Sequence, residues 1–254
     1  MLDLSAAFDC VDHEILLNRL ERSYGIQSLA HSWIKSYLTD RTQRVHHNGQ
    51  MSHTGKMYYG VPQGSVLGPL LFLLYTADIN NIVDNHGLRS HYYADDIKLQ
   101  MPCTPTSSQQ LLARDKTVRC IDDINSWMRS NRLRLNPSKT EFMWCAASRC
   151  LHHIDNAPIN IFGANITKST IVRNLDVTMN NDFSMKSHIV KLSRSCFCSM
   201  RRIRGIRRSL ITEAAKTLIS SFVCSRIDYC NTVLPTYQRQ LLTALMMFSM
   251  PLHD

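Results

Sequence analysis

Apolar residues recur at three- and four-residue spacing in several stretches of the chain, which predicts a largely helical frame. The first helix is opened by Asp12 and ends at Gly25. The second runs from about Ser28, a residue suited to capping a helix, to Leu38. The first helix has Ile15, Leu16 and Leu20 on one face, so it is predicted to pack against a core.

Two later helices are predicted by the same periodicity. One follows the polar stretch from Pro102 to Ser108 and has its apolar residues on one face: Leu111, Val118, Ile121, Ile124 and Met128. The other begins near Thr212 and repeats the pattern with Ala215, Leu218, Ile219, Phe222, Val223 and Ile227. The C-terminal part is therefore predicted to be helical.

Short strands are predicted between these helices. "MLDLSAAFD" reads as a short buried strand, and "RVHHNGQMS" has the Asn-Gly pair typical of a tight hairpin. "SHYYADDIKLQ" predicts a strand, a turn and a second strand, with Asp95 and Asp96 at or near the turn. "LRLNPSKTEFMW" predicts a turn at Asn136-Pro137 followed by a strand, and short strands and loops are expected from 150 to 182.

The order of these elements predicts an α+β fold in which an antiparallel sheet is backed by helices. The Gly/Pro-rich turn "YGVPQGS" leads into the apolar helix "VLGPLLFLLYTADINNIV". That run has a Gly-Pro pair and reaches Asp78 too early to cross a bilayer. The N-terminus has no basic region, so we expect no signal peptide. Without a bilayer-spanning run, a nucleic acid rather than a membrane is the expected partner.

Composition and charge narrow the class of protein further. A chain of 254 residues with 44% hydrophobic and 19% charged residues is typical of a globular protein. Its nine cysteines have no regular spacing, which indicates free thiols in a reducing compartment. The net charge is +9, although residues 1–100 contain ten acids and eight bases.

The positive excess lies between Phe183 and Thr212, a segment without an acid. Its eight basic residues are Lys186, Lys191, Arg194, Arg201, Arg202, Arg204, Arg207 and Arg208. Such a block predicts a polyanionic partner, with nucleic acid first and an anionic membrane surface second. A solvated basic helix face is the alternative, and the charge pattern alone leaves it open.

Three aspartates are candidates for chemistry. If the strands that contain Asp3 and the pair Asp95 and Asp96 are neighbours, their ends bring three carboxylates together. Clustered carboxylates suit Mg²⁺, and two such ions can stabilise both oxygens of a phosphoryl displacement. The alternative is that Asp95 and Asp96 are turn residues that face water.

The ordered blocks "LDLSAAFDCVDH", "YGVPQGSVLGPLLFLLY" and "YADD" resemble the palm of a reverse transcriptase. The resemblance is closest to the jockey-like branch of the non-LTR (LINE-type) retrotransposon family. "LRLNPSKTEF" and "SRIDYCN" extend it to about Asn231. It implies a palm over residues 1–182 and a basic helical thumb over 183–254.

The same resemblance implies an activity and its partners. The family copies an RNA template into DNA by transferring dNTPs onto the 3′-hydroxyl of a DNA primer with two Mg²⁺ ions, or with Mn²⁺. The family's habit of priming at chromosomal DNA implies a location in the nucleus as well as the cytoplasm. In this family the basic thumb residues hold the primer–template duplex by its phosphates.

The resemblance also implies roles for single residues. Asp3, Asp95 and Asp96 correspond to the metal-binding carboxylates, and the backbone carbonyl of Leu4 is a further ligand. Phe8 corresponds to the ring that rejects a 2′-hydroxyl, although a plain core aromatic explains it equally well.

Three further positions carry implied roles with plainer alternatives. Gln63 and Gly64 correspond to the lining of the nucleotide and template pocket, where a simple helix-entry loop is the alternative. Lys139 corresponds to a lysine near the leaving pyrophosphate, where an ordinary surface lysine is the alternative. Asp9 and Asp12 are not expected to bind metal, since Asp12 is better explained as a helix cap.

Two departures from the family pattern affect these expectations. In "NLDVTMN" Asp176 stands where the family has a glycine of its Leu-Gly-Val hairpin, and Asn180 replaces a family acid. The chain is also expected to lack the fingers and endonuclease, and no ribonuclease H signature follows the thumb. We therefore expect little or no polymerase activity from this chain.

Two other functions stay open from the sequence. The first is a catalytically inactive nucleic-acid-binding remnant of such an element. The second is another two-metal enzyme, such as an RNA-dependent RNA polymerase or a nuclease. Phe8 argues against the RNA polymerase because that enzyme must admit a 2′-hydroxyl, and the "VPQGS" block argues against the nuclease.

Overall fold

The computed structural model describes residues 1–230, so Asn231 and the end of the predicted thumb lie outside the described residues. It mixes helices with short antiparallel strands, which confirms the predicted mixed helix-and-strand fold class. The chain forms two compact units. Residues 1–142 and 153–168 form the first unit, and residues 143–152 and 169 onward form the second. The palm and thumb boundary after residue 182 stays a prediction.

The first unit contains five α-helices and four strand pairs. Its helices are His13–Arg22 (α1), Ser28–Leu38 (α2), Leu67–Thr76 (α3), Ile79–Asn85 (α4) and Ser107–Ser130 (α5). Its strands are Thr42–Gln43 (β1), His46–His47 (β2), Gln50–Met51 (β3), Gly55–Lys56 (β4), Arg89–Tyr93 (β5), Asp96–Gln100 (β6), Ile159–Ile161 (β7) and Ala164–Ile166 (β8). The pairs are β1 with β4, β2 with β3, β5 with β6, and β7 with β8, all antiparallel.

Up to residue 230, the second unit contains one hairpin followed by helices. Its described elements are Ile171–Asn174 (β9), Val177–Asn180 (β10), Lys186–Ile206 (α6), Thr212–Ile219 (α7), a π-helix at Ser220–Cys224 and Ser225–Asp228 (α8). Within residues 1–230, no helix has the length and apolar content needed to cross a bilayer.

The first residues of α1 and α2 show whether the predicted helix caps form. The Asp12 carboxylate accepts hydrogen bonds from the backbone N–H groups of Glu14 and Ile15 at 3.0 and 3.1 Å, so the cap of α1 is confirmed. The predicted cap of α2 is wrong, because Gln27 precedes the helix, makes no capping hydrogen bond, and leaves Ser28 as the first helical residue.

Apolar faces of α1, α3 and α5 form the core of the first unit. Phe72 and Tyr75 of α3, Leu16 of α1 and Ile124 of α5 are almost completely buried. Leu111 was predicted on the buried face of α5 but is 61% exposed. Gln110 is buried in that first turn instead, because its side chain is fully used in hydrogen bonds.

The buried amide of Gln110 satisfies three backbone groups of the surrounding loops. Its nitrogen donates to the carbonyls of Pro105 and His153 at 3.1 and 2.9 Å, and its oxygen accepts from the N–H of Asp155 at 2.9 Å. A buried amide with all these partners has little desolvation penalty left, so it can replace leucine on the inner face.

Arg19 of α1 joins three helical segments from a nearly buried position. Its guanidinium donates to the carbonyl of Tyr75 and to the side-chain oxygen of Asn131, the latter at 3.0 Å, and lies 3.1 Å from the Asp78 carboxylate. It also stacks 5.1 Å from the ring centre of Trp127. Only 11% of the Arg19 side chain is exposed.

The predicted first strand consists of two bridged residues. Leu2 pairs with Ile97 of β6, and Leu4 pairs with Leu135, so the segment connects β6 to the stretch before Asn136. It ends early because the chain bends at Ser5–Ala6, where Ala6 has left-handed backbone, and a 3-10 helix follows at Ala7–Cys10.

The segment after Asn136 also forms less strand than predicted. Asn136 begins a 3-10 turn, Pro137–Lys139, and its side chain accepts from the Ser138 N–H at 3.2 Å. Beyond that turn Glu141 exchanges two backbone hydrogen bonds with Met1, and Phe142 forms an isolated bridge with Lys168. The predicted turn is confirmed, and the continuous strand after it is wrong.

The β9–β10 hairpin packs on α6 through a buried histidine. His188 is 7% exposed, and its Nδ1 accepts a hydrogen bond from the backbone N–H of Thr178 at 3.3 Å. Burial lowers the pKa of His188, and the nearby Lys191 lowers it further although Asp176 raises it. The neutral imidazole is the form that can accept the Thr178 hydrogen bond.

The turn between β9 and β10 contains Asp176, the residue that stands in place of the family's glycine. Leu175 and Asp176 both have left-handed φ, of 45° and 65°. Glycine and asparagine adopt this backbone with less strain than leucine and aspartate. Arg173 donates a 2.9 Å hydrogen bond from its Nε to the Asp176 carboxylate and lowers the pKa of that group.

Relieving this turn should stabilise the second unit. Leu175→Asn is expected to raise the free energy of unfolding by about 1 kcal/mol, because it removes left-handed strain without touching the Arg173–Asp176 pair. Asp176→Gly should gain less at pH 7, because it also removes that pair. Thermal unfolding followed by circular dichroism measures both, at about 2–4 °C for each kcal/mol.

The pH dependence separates the two substitutions. Since Arg173 lowers the pKa of Asp176, this carboxylate stabilises the fold above its unfolded pKa, and the effect is lost as pH falls through its lower folded pKa. The gain from Asp176→Gly should therefore increase in acid, whereas that from Leu175→Asn should not follow this titration. An equal pH response of both variants would contradict this account.

Candidate active site

The backbone register brings Asp3 to the aspartate pair. Leu2 donates to the carbonyl of Ile97 at 2.8 Å and accepts from its N–H at 3.3 Å. In an antiparallel pairing the next residues along, Asp3 and Asp96, stand opposite each other. The β5–β6 hairpin confirms the predicted strand, turn and strand, with Asp95 in the turn and Asp96 starting β6.

The pKa of Asp96 shows that other carboxylates lie nearby. Burial raises the pKa of Asp96, and the charges of Asp95 and Asp3 raise it further. A carboxyl with a raised pKa is one whose charged form is disfavoured by its surroundings. The fold therefore holds like charges together at this point and would gain from a nearby cation.

The turn that presents Asp95 is strained. Ala94, which precedes it, has left-handed backbone with φ of 52°. For a residue with a β-carbon this conformation costs about 1 kcal/mol. Strain of this kind persists where the surrounding structure enforces it, and here the five paired positions of β5 and β6 do so.

Lys139 is the cation that the structure places beside the cluster. Its ammonium lies 3.5 Å from the Oδ2 atom of Asp3, which is buried and has no hydrogen-bond partner. The separation is that of an ion pair rather than a hydrogen bond. The neighbouring backbone is fixed, because the Asn136 N–H donates to the Asp3 carbonyl at 2.9 Å.

The Leu4 carbonyl belongs to the same edge of the segment. Carbonyls of residues two apart in an extended strand point to the same side. The Leu2 carbonyl points towards β6, because it accepts a hydrogen bond from Ile97. The Leu4 carbonyl therefore points towards the same neighbouring chain, where the register puts Asp95 opposite Leu4. This direction suits the backbone ligand that the resemblance implies.

The donor set fits a hard divalent cation in its chemistry. Carboxylate oxygens, one of them buried and without a hydrogen bond, are what Mg²⁺ prefers. Within residues 1–230, however, no three acidic, histidine or cysteine side chains stand close enough to hold a metal as they are. To bind a metal together, the carboxylates would have to move closer to one another, and Lys139 would have to move away from Asp3.

The "AFD" and "VPQGS" segments are held together by main-chain hydrogen bonds. The N–H of Gly60 donates to the Val11 carbonyl and that of Val61 to the Phe8 carbonyl, both at 2.8 Å. The ring of His13 contacts the Gly60 carbonyl at 2.8 Å through Nε2. The predicted nucleotide-pocket loop therefore packs directly on the residues that follow Asp3.

Gly60 makes this close approach. Its φ is 91°, and an added β-carbon would lie 3.0 Å from the Cα and carbonyl oxygen of Asp9. Gly64 also has left-handed backbone, with φ of 76°, but an added β-carbon there would meet nothing within 4 Å. The first glycine is required by packing and the second by conformation alone.

The predicted pocket residues occupy different environments. The Gln63 side chain is exposed and donates to the Asp9 carboxylate at 3.4 Å, a contact that sequence reasoning missed. Phe8 is half-buried, with its ring centre 4.8 Å from that of Phe72. Packing against the core thus explains one face of the Phe8 ring, and its predicted role towards the sugar stays a prediction.

The predicted nucleic-acid-binding residues lie on α6 and the turn after it. Lys186, Lys191 and Arg194 line one cavity of about 380 Å³ with Ser187 and Val190. Arg201, Arg202, Arg204 and Arg208 are exposed, and Arg207 is half-buried. One helix therefore presents most of the basic block to solvent.

Comparisons with known proteins identify the family of the chain. A family profile described as reverse transcriptase (RNA-dependent DNA polymerase) matches residues 1–179. The probable RNA-directed DNA polymerase from transposon BS of Drosophila melanogaster is 28% identical over 227 residues, 86% of this chain. The RNA-directed DNA polymerase from mobile element jockey of Drosophila funebris is 29% identical over 200 residues, 76% of this chain.

The chain corresponds to a small part of these relatives. The aligned residues amount to 24% of the transposon BS protein and 21% of the jockey protein. The jockey protein of Drosophila melanogaster gives a similar result, 27% identity over 201 residues and 21% of its length. The chain therefore spans about a quarter or less of the curated relatives it matches.

Proposed function

The chain belongs to the reverse transcriptase (RNA-dependent DNA polymerase) family, in its jockey-like non-LTR branch, and on that premise we propose that it supplies the catalytic centre of an RNA-directed DNA polymerase. One observation carries the proposal. The pairing of Leu2 with Ile97 sets Asp3 opposite Asp96 and beside Asp95, although the sequence separates them widely.

Each residue of the site has a role in this reaction. Asp3, Asp95 and the Leu4 carbonyl would hold the divalent ions, with Asp96 as a further carboxylate. Two bound Mg²⁺ ions, or Mn²⁺, would supply Lewis-acid stabilisation of the attacking and leaving oxygens. Lys139, which lies 3.5 Å from Asp3 in this structure, would leave that partner and neutralise charge on the leaving pyrophosphate.

The proposed substrates follow from the neighbouring loop and from α6. Phe8 would exclude a 2′-hydroxyl and so select dNTPs, and Gln63 and Gly64 would line the nucleotide and template pocket. An RNA template and a DNA primer would bind through their phosphates to the basic block of α6. In this proposal residues 1–182 act as the palm and residues 183–254 as the thumb.

A second function, that of an inactive nucleic-acid-binding remnant, has two observations in its favour. Within residues 1–230 no three acidic, histidine or cysteine side chains stand close enough to hold a metal together, and a lysine ammonium already pairs with Asp3. Binding of nucleic acid by α6 would not depend on either feature, so the two functions differ in metal uptake.

Calorimetric titration with Mg²⁺ and Mn²⁺ tests the proposal. We expect the chain to bind metal and the Asp95→Ala variant to bind it at least about tenfold more weakly, because a direct ligand is lost. Asp115→Asn on α5 is the matched control, since it removes an exposed carboxylate outside the cluster.

The same proteins should be tested in primer extension on poly(rA)/oligo(dT). Any DNA synthesis must disappear in Asp95→Ala and persist in Asp115→Asn. Salt-dependent RNA binding that survives Asp95→Ala, with no metal uptake by either protein, would overturn the polymerase proposal in favour of the remnant.

A further inference from the structure

Residues 41–57 form a hairpin that we name the arm. Its turn is Asn48–Gly49, and both residues have left-handed backbone, as predicted for Asn-Gly. The β1–β4 and β2–β3 pairs continue through hydrogen bonds from Ser52 to the Val45 carbonyl and from Met57 to that of Arg41, at 2.9 and 2.8 Å.

The arm has no apolar face against the core. Every residue from Thr42 to Lys56 is exposed. A two-stranded ribbon is marginally stable when neither face is covered. Val45 and Met51 are 68% and 63% exposed, so even its apolar side chains face solvent. A ribbon built in this way is suited to contact with something outside the chain.

The charge of the arm indicates what that partner is. Residues 41–59 include Arg41, Arg44 and Lys56, and no acid. Arg41 is partly engaged, because it donates to the Tyr37 carbonyl at 3.2 Å and lies over the Tyr37 ring. Arg44 donates to the neutral Thr54 hydroxyl at 2.6 Å, and within residues 1–230 no carboxylate forms an ion pair with it.

Two aromatic side chains stand at the base of the arm. Tyr58 and Tyr59 are 69% and 59% exposed and directly precede Gly60. Exposed aromatic rings beside cations are the elements from which proteins build sites for single-stranded nucleic acid, because bases stack on the rings while cations follow the phosphates. These rings lead into the "VPQGS" loop along the chain.

We propose that the arm binds single-stranded RNA, with Arg44 and Lys56 on the phosphates and Tyr58 stacked on a base. The choice of RNA rests on the proposed polymerase function, whereas the preference for a single strand rests on the rings. Duplex RNA offers a major groove too narrow for a ribbon and no exposed base faces. The strand would approach the "VPQGS" loop past the tyrosines.

A simpler explanation of the arm is protection of its edges. Charged residues on an exposed strand prevent pairing with another copy of the chain. That explanation requires the cations to be on the edge but requires neither RNA affinity nor the tyrosines. Binding measurements therefore separate the two.

Fluorescence anisotropy with a labelled (rU)12 oligonucleotide in EDTA tests the proposal. For a single strand the affinity depends on salt with a slope of about −0.7 per phosphate contact. Arg44→Gln with Lys56→Gln should therefore lower the magnitude of the slope by about 1.4 and weaken binding about 25-fold at 0.1 M salt. Arg119→Gln with Arg129→Gln on α5 loses the same charge and should have a small effect.

Tyr58 gives a second, independent variant. Tyr58→Ala should weaken binding about tenfold without changing the salt slope, and Tyr58→Phe should bind like the original because stacking is kept. The proposal is overturned if the Arg44/Lys56 and α5 variants behave alike, or if only binding of duplex competitors is lost. Since the assay contains no metal, it stays informative even if the carboxylate site binds none.

Discussion

Replacing Arg19 by methionine is expected to lower the free energy of unfolding by about 3 kcal/mol. Methionine fills a similar volume but leaves the Tyr75 carbonyl and the Asn131 side-chain oxygen without their donor. Each buried acceptor left without a partner costs about 1–3 kcal/mol. The Asp78 carboxylate also loses its cation, although it is more exposed and contributes less.

Arg19→Lys is the matched control for charge. A lysine ammonium keeps the positive charge but cannot reproduce the planar fork that serves three acceptors and stacks on Trp127. We expect its loss to be about half that of the methionine variant. Urea unfolding followed by circular dichroism measures both, and a loss below about 1 kcal/mol for Arg19→Met would show that the network is not structural.

The second large effect is expected at Gly60. Gly60→Ala should destabilise the fold by about 3 kcal/mol, because it combines left-handed strain with a β-carbon 3.0 Å from the Asp9 backbone. Backbone atoms cannot turn aside as a flexible side chain can. The "VPQGS" loop would therefore have to separate from the Phe8–Val11 segment.

Gly64→Ala is the comparison that isolates the contact. Gly64 shares the left-handed φ but has open space around its Cα, so alanine there should cost only about 1 kcal/mol. Urea unfolding of the two variants measures the difference. Equal losses would mean that backbone conformation alone, and not the packing of one segment on the other, requires Gly60.

Local features of the fold were predictable from the sequence because their causes lie within a few residues. The Asp12 cap, the Asn48–Gly49 turn and the β5–β6 hairpin all depend on neighbouring positions, and the structure contains each of them. The left-handed backbone at Asp176 likewise has a local cause, since aspartate stands there in place of the family's glycine.

Features that depend on distant partners were not predictable in this way. Arg19 contacts a residue 112 positions away, and no periodicity of α1 distinguishes it from a surface arginine. The early end of the first strand follows from the bend at Ala6, and the exposure of Leu111 follows from the partners of Gln110. Tertiary contacts decide such cases against local preference.

In the candidate site, too, some features were predicted from the sequence and others, which depend on distant contacts, were not. The resemblance identified Asp3, Asp95, Asp96 and Lys139, but not the contact between Lys139 and Asp3. The arm was predicted as a hairpin but not as a binding surface, because its single positive residues are spread along the hairpin. The absence of any acid from residue 41 to residue 59 was the signal that could have revealed it.

Within residues 1–230 the edges of the arm pair with no further strand, and we expect these edges to affect concentrated solutions of the protein. At low ionic strength the like charges of Arg44 and Lys56 keep the ribbons of different molecules apart. Salt that screens those charges uncovers strands able to pair with one another, so it promotes self-association while it releases bound polyanions. Low salt therefore favours a protein that stays dispersed, whereas high salt favours the removal of contaminating nucleic acid.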